Sequence, residues 1–381
     1  MKKKLVKHLG NRITELGNAK KKGVKIIGYF PGDYVPVEII YASGAIPLCL
    51  ADGGDSNPVD TSLSVIPRHF CSFVRAQVGE MVLRRNPYYS LIDMIVSPIA
   101  CLHLQKLAEI IEYNGNIEIF KLGIPRLATS DADLKYYADR IEALKNKLEE
   151  FTGNKITSDK IRSAIELCNK MRELLKQISL MRRSSPAPIS AIDFVKLNHA
   201  SYYADPVFMV EVLESTLNEL NKEQKAAVVN APRLLLIGPN IANGDYKIME
   251  LIEEAGGDIV IEEVCEGIRS YWQPVESKGD PIESLAKAYL RQRVPCGYMT
   301  SSTKTRLDFA LKLIKDFTVS GVIFYNLLGC ETYDAESYFF TQKMEENKIP
   351  TLVLESDYGM ADIGQIKTRI EAFMEMLEGA K

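Results

Sequence analysis

Strand-like apolar runs alternate with helical stretches at both ends of this 381-residue chain, and a long Lys/Glu/Leu-rich region separates them. Such alternation predicts an α/β protein built from right-handed βαβ units with parallel sheets. Because the alternation stops and then resumes, two doubly wound sheet domains are expected, with a helical insertion between them. The length agrees, since it leaves room for two or three domains that each bury a core. The expected boundaries are residues 1–128, 129–230 and 231–381.

In chain order, GVKIIGYF reads as the first strand and VPVEIIYASG as a helix closed by Gly44. AIPLCLA is a second short strand, followed by a Gly/Asp/Asn/Pro loop over 52–60. Helix 66–86, strand 91–97, helix 101–113 and strand 117–122 complete the N-terminal part. In the middle, DADLKYYADRIEALKNKLEEF begins with an Asp-rich first turn, and TSDKIRSAIELCNKMRELLKQI offers an N-cap at Thr157 or Ser158. RRSSPAPIS breaks this run, and further helix is expected to about residue 226. The α/β rhythm resumes with RLLLIGPNIANGD, a strand running into a Gly/Asn loop. Helix 245–255, strand 258–264, helices 281–293 and 303–317, strand 321–327, helix 331–347, strand 350–355 and helix 363–378 follow. That describes a second flavodoxin- or Rossmann-like sheet, and the two sheets are expected to face each other across a crevice.

The composition, 46% hydrophobic and 25% charged with a net charge of -3, is that of an ordinary globular protein. Basic residues are dispersed and balanced, which argues against a nucleic-acid partner. The start MKKKLVKHLG is basic, but no apolar core of signal-peptide length follows. No run approaches the roughly 18 consecutive apolar residues of a membrane span. The chain therefore reads as cytoplasmic, with no membrane partner. In that compartment cysteines are more often metal-binding or catalytic than disulfide-bonded, and an odd count of seven prevents complete pairing.

Six of those cysteines share one kind of topological position. Cys49 ends an apolar run, Cys71 heads the helical pattern HFCSFVR, and Cys101 opens CLHLQKLAEII. Cys265 ends DIVIEEV, Cys296 follows RQRVP, and Cys330 follows GVIFYNLLG. In open α/β sheets the carboxyl ends of the strands border the ligand crevice, and helix N-termini there favour thiolates. Six thiolates meeting at one crevice make a soft-metal site, with iron–sulfur the first expectation. No local CxxC cluster occurs, so such a site is assembled from remote loops. Cys168 lies mid-helix on an apolar stripe beside Leu167 and Met171 and reads as packing.

Other candidates are weaker. No GxxxxGK[ST] loop and no GxGxxG after a strand is present, so ATP chemistry would lie on a partner. GPNIANGD reads as a strand–helix turn rather than an anion cradle. His69 and His103 lie two residues from Cys71 and Cys101, either as hydrogen-bond donors and proton carriers beside a metal or as structural histidines. Glu38 begins a helix after the first strand, where it either complements the helix dipole or serves as an acid/base group in the crevice. The first lysines and the run NGDYKIMELIEE read as solvated surface. Tyr271 and Trp272 either roof a cluster or line a rim.

Several co-ordered blocks resemble the family of 2-hydroxyacyl-CoA dehydratase and benzoyl-CoA reductase iron–sulfur subunits, over nearly the whole chain. They are GYFPGDYVPVEIIYASGAIPLCL, HFCSFVRAQVG, SPIACLHLQKL, GVIFYNLLGCETYD and GQIKTRIEAFMEML. The resemblance implies a cubane iron–sulfur cluster on Cys71, Cys101 and Cys330, with electrons delivered by a separate ATP-hydrolysing iron–sulfur activator. A second trio, Cys49, Cys265 and Cys296, makes the chain similar to the double-cubane proteins of that family. For those the resemblance implies an [8Fe-9S] cluster, a homodimer and ATP-dependent reduction of small molecules. Two alternatives stand beside this expectation. One is a dehydratase or benzoyl-CoA reductase-type subunit with one [4Fe-4S] cluster and an acyl-CoA substrate; the other is a non-catalytic electron carrier.

Overall fold

The computed structural model describes residues 2–84, 86–114, 117–222, 231–300 and 302–379. It opens with helix α1 (Lys2–Lys21), where the sequence suggested only solvated surface. Lys3 and Lys4 are indeed exposed. The charges hide an apolar edge, however: Leu16 is fully buried, and buried Arg12 donates from Nε to the Tyr203 carbonyl at 2.8 Å.

The first sheet is wound from β1 (Ile26–Tyr29), α2 (Val37–Ala42), β2 (Ile46–Cys49), a short α3 (Ser56–Thr61) inside the expected loop, and α4 (Ser72–Leu83). It is completed by β3 (Met94–Ile99), α5 (Leu102–Asn114) and β4 (Glu118–Gly123). All pairings are parallel, in the order β2-β1-β3-β4. Central β3 reads MIVSPI and is buried along nearly its whole length, as expected where helices cover both faces of a parallel sheet.

Four helices form the middle layer: α6 (Asp131–Thr152), α7 (Ser158–Met181), α8 (Ala191–Ala200) and α9 (Pro206–Lys222). The helix expected past Lys222 lies outside the described residues. A capping box between Ser130 and Asp133 starts α6, and left-handed Gly153 ends it. Thr157 caps α7 by accepting from the Lys160 N–H. With 24 residues, α7 is about 36 Å long. Its first half places Ile161, Ala164 and Ile165 in the apolar cluster around Ile27 and Met94. Its second half places Leu174, Leu175 and Ile178 in the cluster around Leu235 and Val260. The helical layer is thus a beam joined to both sheets.

The second sheet uses β5 (Arg233–Ile237), α10 (Lys247–Glu254), β6 (Asp258–Glu263), α11 (Ile268–Tyr271) and α12 (Pro281–Lys287). Then follow α13 (Ser302–Asp316), β7 (Gly321–Leu327), α14 (Glu331–Glu346), β8 (Thr351–Ser356) and α15 (Ile363–Gly379). Its order is β6-β5-β7-β8, again all parallel. Helix α12 ends earlier than expected and loosens into a π-type turn over Ala288–Gln292. Helix α10 corrects the reading of NGDYKIMELIEE as surface, because Ile248, Met249, Leu251 and Ile252 are buried.

Both sheets therefore repeat one winding, with the strand order reversing between the first and third strands of each half. That reversal opens a crevice at the carboxyl ends of β1, β3, β5 and β7. The fold class agrees with the sequence reading. The two halves share a core: Phe30, Leu50 and Val74 of the first pack in one cluster with Leu234, Ile323 and Tyr325 of the second. A clasp joins the loops after β2 and β5. Asn243 N donates to the Ala51 carbonyl at 2.7 Å, Gly53 N to the Asn243 carbonyl at 3.0 Å, and Asn243 Nδ2 to Asp52 Oδ1 at 2.7 Å. A Cβ on Gly54 would sit 2.3 Å from the Gly244 carbonyl oxygen, so this approach requires glycine. Among the described residues, no helix is long and apolar enough to cross a membrane.

Candidate metal centre

Where the two reversals meet, a cavity of about 460 Å³ is lined by Cys71, Cys101, Cys265, Cys296 and Cys330. All five are free thiols. The fold delivers them in three ways. Cys101 and Cys265 each lie two residues beyond the ends of β3 and β6. Cys71 and Cys330 are the N-cap residues of α4 and α14. Cys296 sits in the loop after the π-type turn, where its N–H donates to the Tyr34 hydroxyl at 3.1 Å. The Cys71 and Cys330 loops touch: Ser72 N donates to the Leu328 carbonyl at 3.0 Å. Gly329, at φ +81, fits between them, since a Cβ there would lie 3.0 Å from the Cys71 Cα.

Burial raises the Cys71 thiol to about 12 and pushes Cys101 and Cys330 up as well. Backbone N–H groups oppose this. Leu104 N reaches Cys101 Sγ at 3.5 Å, and the N–H groups of Phe73 and Val74 act on Cys71, with that of Tyr333 on Cys330. These are the exposed donors of helix first turns, which favour negative sulfur. A metal cation at the sulfurs reverses the remaining penalty, because coordinated thiols are held deprotonated.

Cys265 and Cys296 form a tighter pair. A hydrogen bond between them holds Cys296 low and Cys265 high, so the two share a proton. Arg269 Nη1 donates to Cys265 Sγ at 3.1 Å, and the Tyr333 hydroxyl lies 3.5 Å from Cys265 Sγ and 3.9 Å from Cys296 Sγ. Behind them runs a buried array of alternating charge. Arg269 Nε donates to Glu263 Oε1 at 2.7 Å, Arg306 Nη2 to Glu263 Oε2 at 2.8 Å, and Arg306 also pairs with Glu336. Burial alone would raise Glu263, but the two guanidiniums outweigh it and hold the carboxyl low. Within this balanced array, Arg269 is the member that offers positive charge to the Cys265 sulfur.

Not every expected residue reaches the cavity. Cys49 closes β2 in register with Tyr29 and lines a separate, smaller hollow together with Cys168. Five of the six expected cysteines thus line the cavity, and Cys49 lines the neighbouring hollow. Glu38 is fully buried and bound to Arg172 Nη2 at 2.5 Å and the Tyr289 hydroxyl at 2.7 Å. Burial would raise its pKa, yet Arg172, Arg293 and Tyr289 prevail and lower it, which fixes an ionised structural anchor rather than a crevice acid. His103 does line the cavity, and its Nδ1 accepts the Cys71 N–H at 3.2 Å. Burial lowers its pKa, consistent with a neutral ring carrying its proton on Nε2. His69 is exposed and stacks on Phe70 outside the cavity lining. Trp272 and Tyr271 are buried away from the cavity; the aromatic rings that line it include Tyr298 and Tyr333. Tyr333 follows Cys330 by three residues, one helical turn, and that spacing was the available signal. Arg126 and Asn240 carried none, being loop residues in the sequence.

Among the described residues, no three His, Cys, Asp or Glu side chains converge on a point fit for a single ion. A multi-iron core does not need such a point, because each thiolate ligates its own iron. Disulfide-free thiols spread around a cavity suit a cluster better than a mononuclear site.

A doubly wound pair of sheets presenting thiols at its crevice defines a class of protein that handles a ligand or metal core at the junction of two lobes. The particular family follows from comparison. Residues 33–377 match the family model described as 2-hydroxyglutaryl-CoA dehydratase, D-component, and the chain belongs to this family. It is 27% identical over 362 residues to the "Putative dehydratase subunit YjiM" of Escherichia coli strain K12, covering 94% of this chain and 93% of that protein. It is 23% identical to the (R)-phenyllactyl-CoA dehydratase beta subunit of Clostridium sporogenes, covering 99% and 95% of the two chains. A benzoyl-CoA reductase subunit of Thauera aromatica is 23% identical, covering 93% and 91%.

Proposed function

We propose that this chain is an iron–sulfur reductase whose cluster is held between its two lobes by Cys71, Cys101, Cys330, Cys265 and Cys296. The observation that carries the reading is the lining of one cavity by five free thiols drawn from both halves. Such a cluster supplies a store of low-potential electrons. Helix N-termini at Cys71 and Cys330 stabilise the thiolates, Arg269 offsets charge at Cys265, and the apolar wall with Phe73, Leu104 and Phe339 limits water. Electrons come from an ATP-hydrolysing iron–sulfur activator, since this sequence carries no phosphate loop of its own. The protein works as a homodimer in the cytoplasm on small molecules.

An [8Fe-9S] double cubane is the first reading, because Cys265 and Cys296 face the same cavity as the Cys71, Cys101 and Cys330 trio and one cubane does not require them. A second reading is favoured by the position of Cys49, which lines the neighbouring hollow rather than this cavity. It is a single [4Fe-4S] cluster acting on an acyl-CoA, the substrate class in the names of the dehydratase and reductase relatives.

Iron and acid-labile sulfide counts on anaerobically purified protein separate the readings: about eight irons per chain support the first, about four the second. Protein that takes up no iron on anaerobic reconstitution contradicts both. Turnover with activator and ATP then distinguishes an enzyme from an electron carrier.

A further inference from the structure

Behind the thiol cavity lies the smaller hollow, about 110 Å³, which the reading above leaves unused. Pro31 and Glu266 line both spaces and so form the partition between them. The volume is enough to hold ordered water.

The lining of this hollow is rich in buried polar atoms without a partner. They are Oδ2 of Asp33, Nε and Nη2 of Arg293, Oδ1 of Asn198, and both carboxylate oxygens of Glu266. Glu266 and Asn198 are each 3% exposed and Arg293 6%. Leaving such groups bare costs about 1–3 kcal/mol apiece, and polar cavities of sufficient size normally satisfy them with ordered water. Donors and acceptors line the same small space, which is the chemistry that holds a water chain.

Asp33 stands out on this wall. Its backbone is left-handed at φ 63, a conformation that Asp and Asn tolerate but that needs support from the surroundings. Arg293 Nη1 provides some, donating to the Asp33 carbonyl at 3.2 Å. Arg172 from α7, Arg269 after β6, and Arg293 and Cys296 after α12 act on its carboxyl, with Glu266, Tyr34 and Cys49 also nearby. Burial dominates, and the carboxyl is raised to about 7 despite the three guanidiniums.

We propose that this hollow is a hydrated proton store for the thiol cavity and that Asp33 is the group that holds and releases the proton. The proposal rests on the reductive reading, in which each electron from the iron–sulfur donor is matched by a proton. In the step itself no electrons move. The Asp33 carboxylic acid breaks its O–H bond, a proton passes along water held by Arg293, Asn198 and Glu266 into the thiol cavity, and solvent reprotonates the carboxylate. Asp33 acts through water, not on the substrate.

The test compares wild type with Asp33→Asn in anaerobically purified holoprotein. Asn keeps the shape and accepts the left-handed backbone, so the variant should fold. Burial also raises Glu266 and Asp245, so the reading is the wild-type minus Asp33→Asn infrared difference, which should show a protonated carboxyl band that vanishes as pH rises through about 7. A wild-type minus variant difference with no such band overturns the proposal. In turnover with activator, ATP and a small reducible substrate such as azide, Asp33→Asn should lose about 10²-fold in kcat with KM unchanged, and lose the fall in rate above pH 7. Ser201→Met, which adds bulk at another lining position, should remove the same pH limb while leaving Asp33 in place. Variants that retain the wild-type pH profile overturn the proton store and leave the reductive reading intact. If the holoprotein reduces nothing, the reductive reading falls, and the infrared titration alone decides the role of Asp33.

Discussion

The second strands of the two sheets, β2 and β6, hold the same place in the same winding, and each brings a cysteine near its carboxyl end. Cys49 is the last residue of β2, register-paired with Tyr29. Cys265 lies two residues beyond β6, its N–H bound to the Pro239 carbonyl at 2.7 Å. That small offset goes with different surroundings. A residue inside the strand belongs to the layer between sheet and helix, whereas one past its end belongs to the crevice loops. Cys49 shares a hollow with Cys168 and a wall of buried acids and guanidiniums, while Cys265 joins four other thiols.

The largest expected effect lies in the trio nearest the helix N-termini. Cys330→Ser or Cys101→Ser should abolish stable cluster binding, read as loss of iron and of visible absorbance. Cys296→Ser should remove about half the iron if two cubanes are linked and almost none if there is one. Next comes the charge array behind the Cys265 pair. Glu263→Gln leaves Arg269 and Arg306 buried with a neutral partner, and should cost about 3–5 kcal/mol in denaturant unfolding. The counterpart Glu38→Gln, which strips Arg172 of its partner in the first half, tests whether the two lobes depend equally on buried ion pairs.

A smaller effect is pH-dependent. His199, buried in α8, is pushed down to about 4 by desolvation, with Nδ1 3.0 Å from the Tyr246 hydroxyl. Its folded pKa lies below the unfolded value, so the folded state binds fewer protons between the two. This contribution is present above about 6.5 and is lost as pH falls towards 4, about 3 kcal/mol in all. Chemical denaturation at stepped pH should show that limb, and His199→Gln should flatten it. The smallest effect is expected for Cys168→Ser, which should leave the iron content unchanged.

The strands, their parallel winding and the crevice were readable because apolar runs and turn residues recur at βαβ spacing. Cys71, Cys101 and Cys330 were readable for the same reason, since a strand end or helix start marks each. The placement of Cys49 beside the neighbouring hollow was not legible, because strand ends cannot be fixed to the residue from sequence and one residue moves a side chain to the other face. Helix α1 was missed because its lysines mask a narrow apolar edge at Leu5, Leu9 and Leu16. Asp33, Arg293 and Glu266 gave no signal at all: they lie in three loops far apart in the chain, and only the folding of both halves brings them together.

The most direct test is iron stoichiometry in Cys49→Ala beside Cys265→Ala, both purified without oxygen. Wild-type iron in Cys49→Ala with a marked loss in Cys265→Ala is the predicted result. Loss of iron in Cys49→Ala, or none in Cys265→Ala, would contradict the assignment of five thiols to a shared cluster.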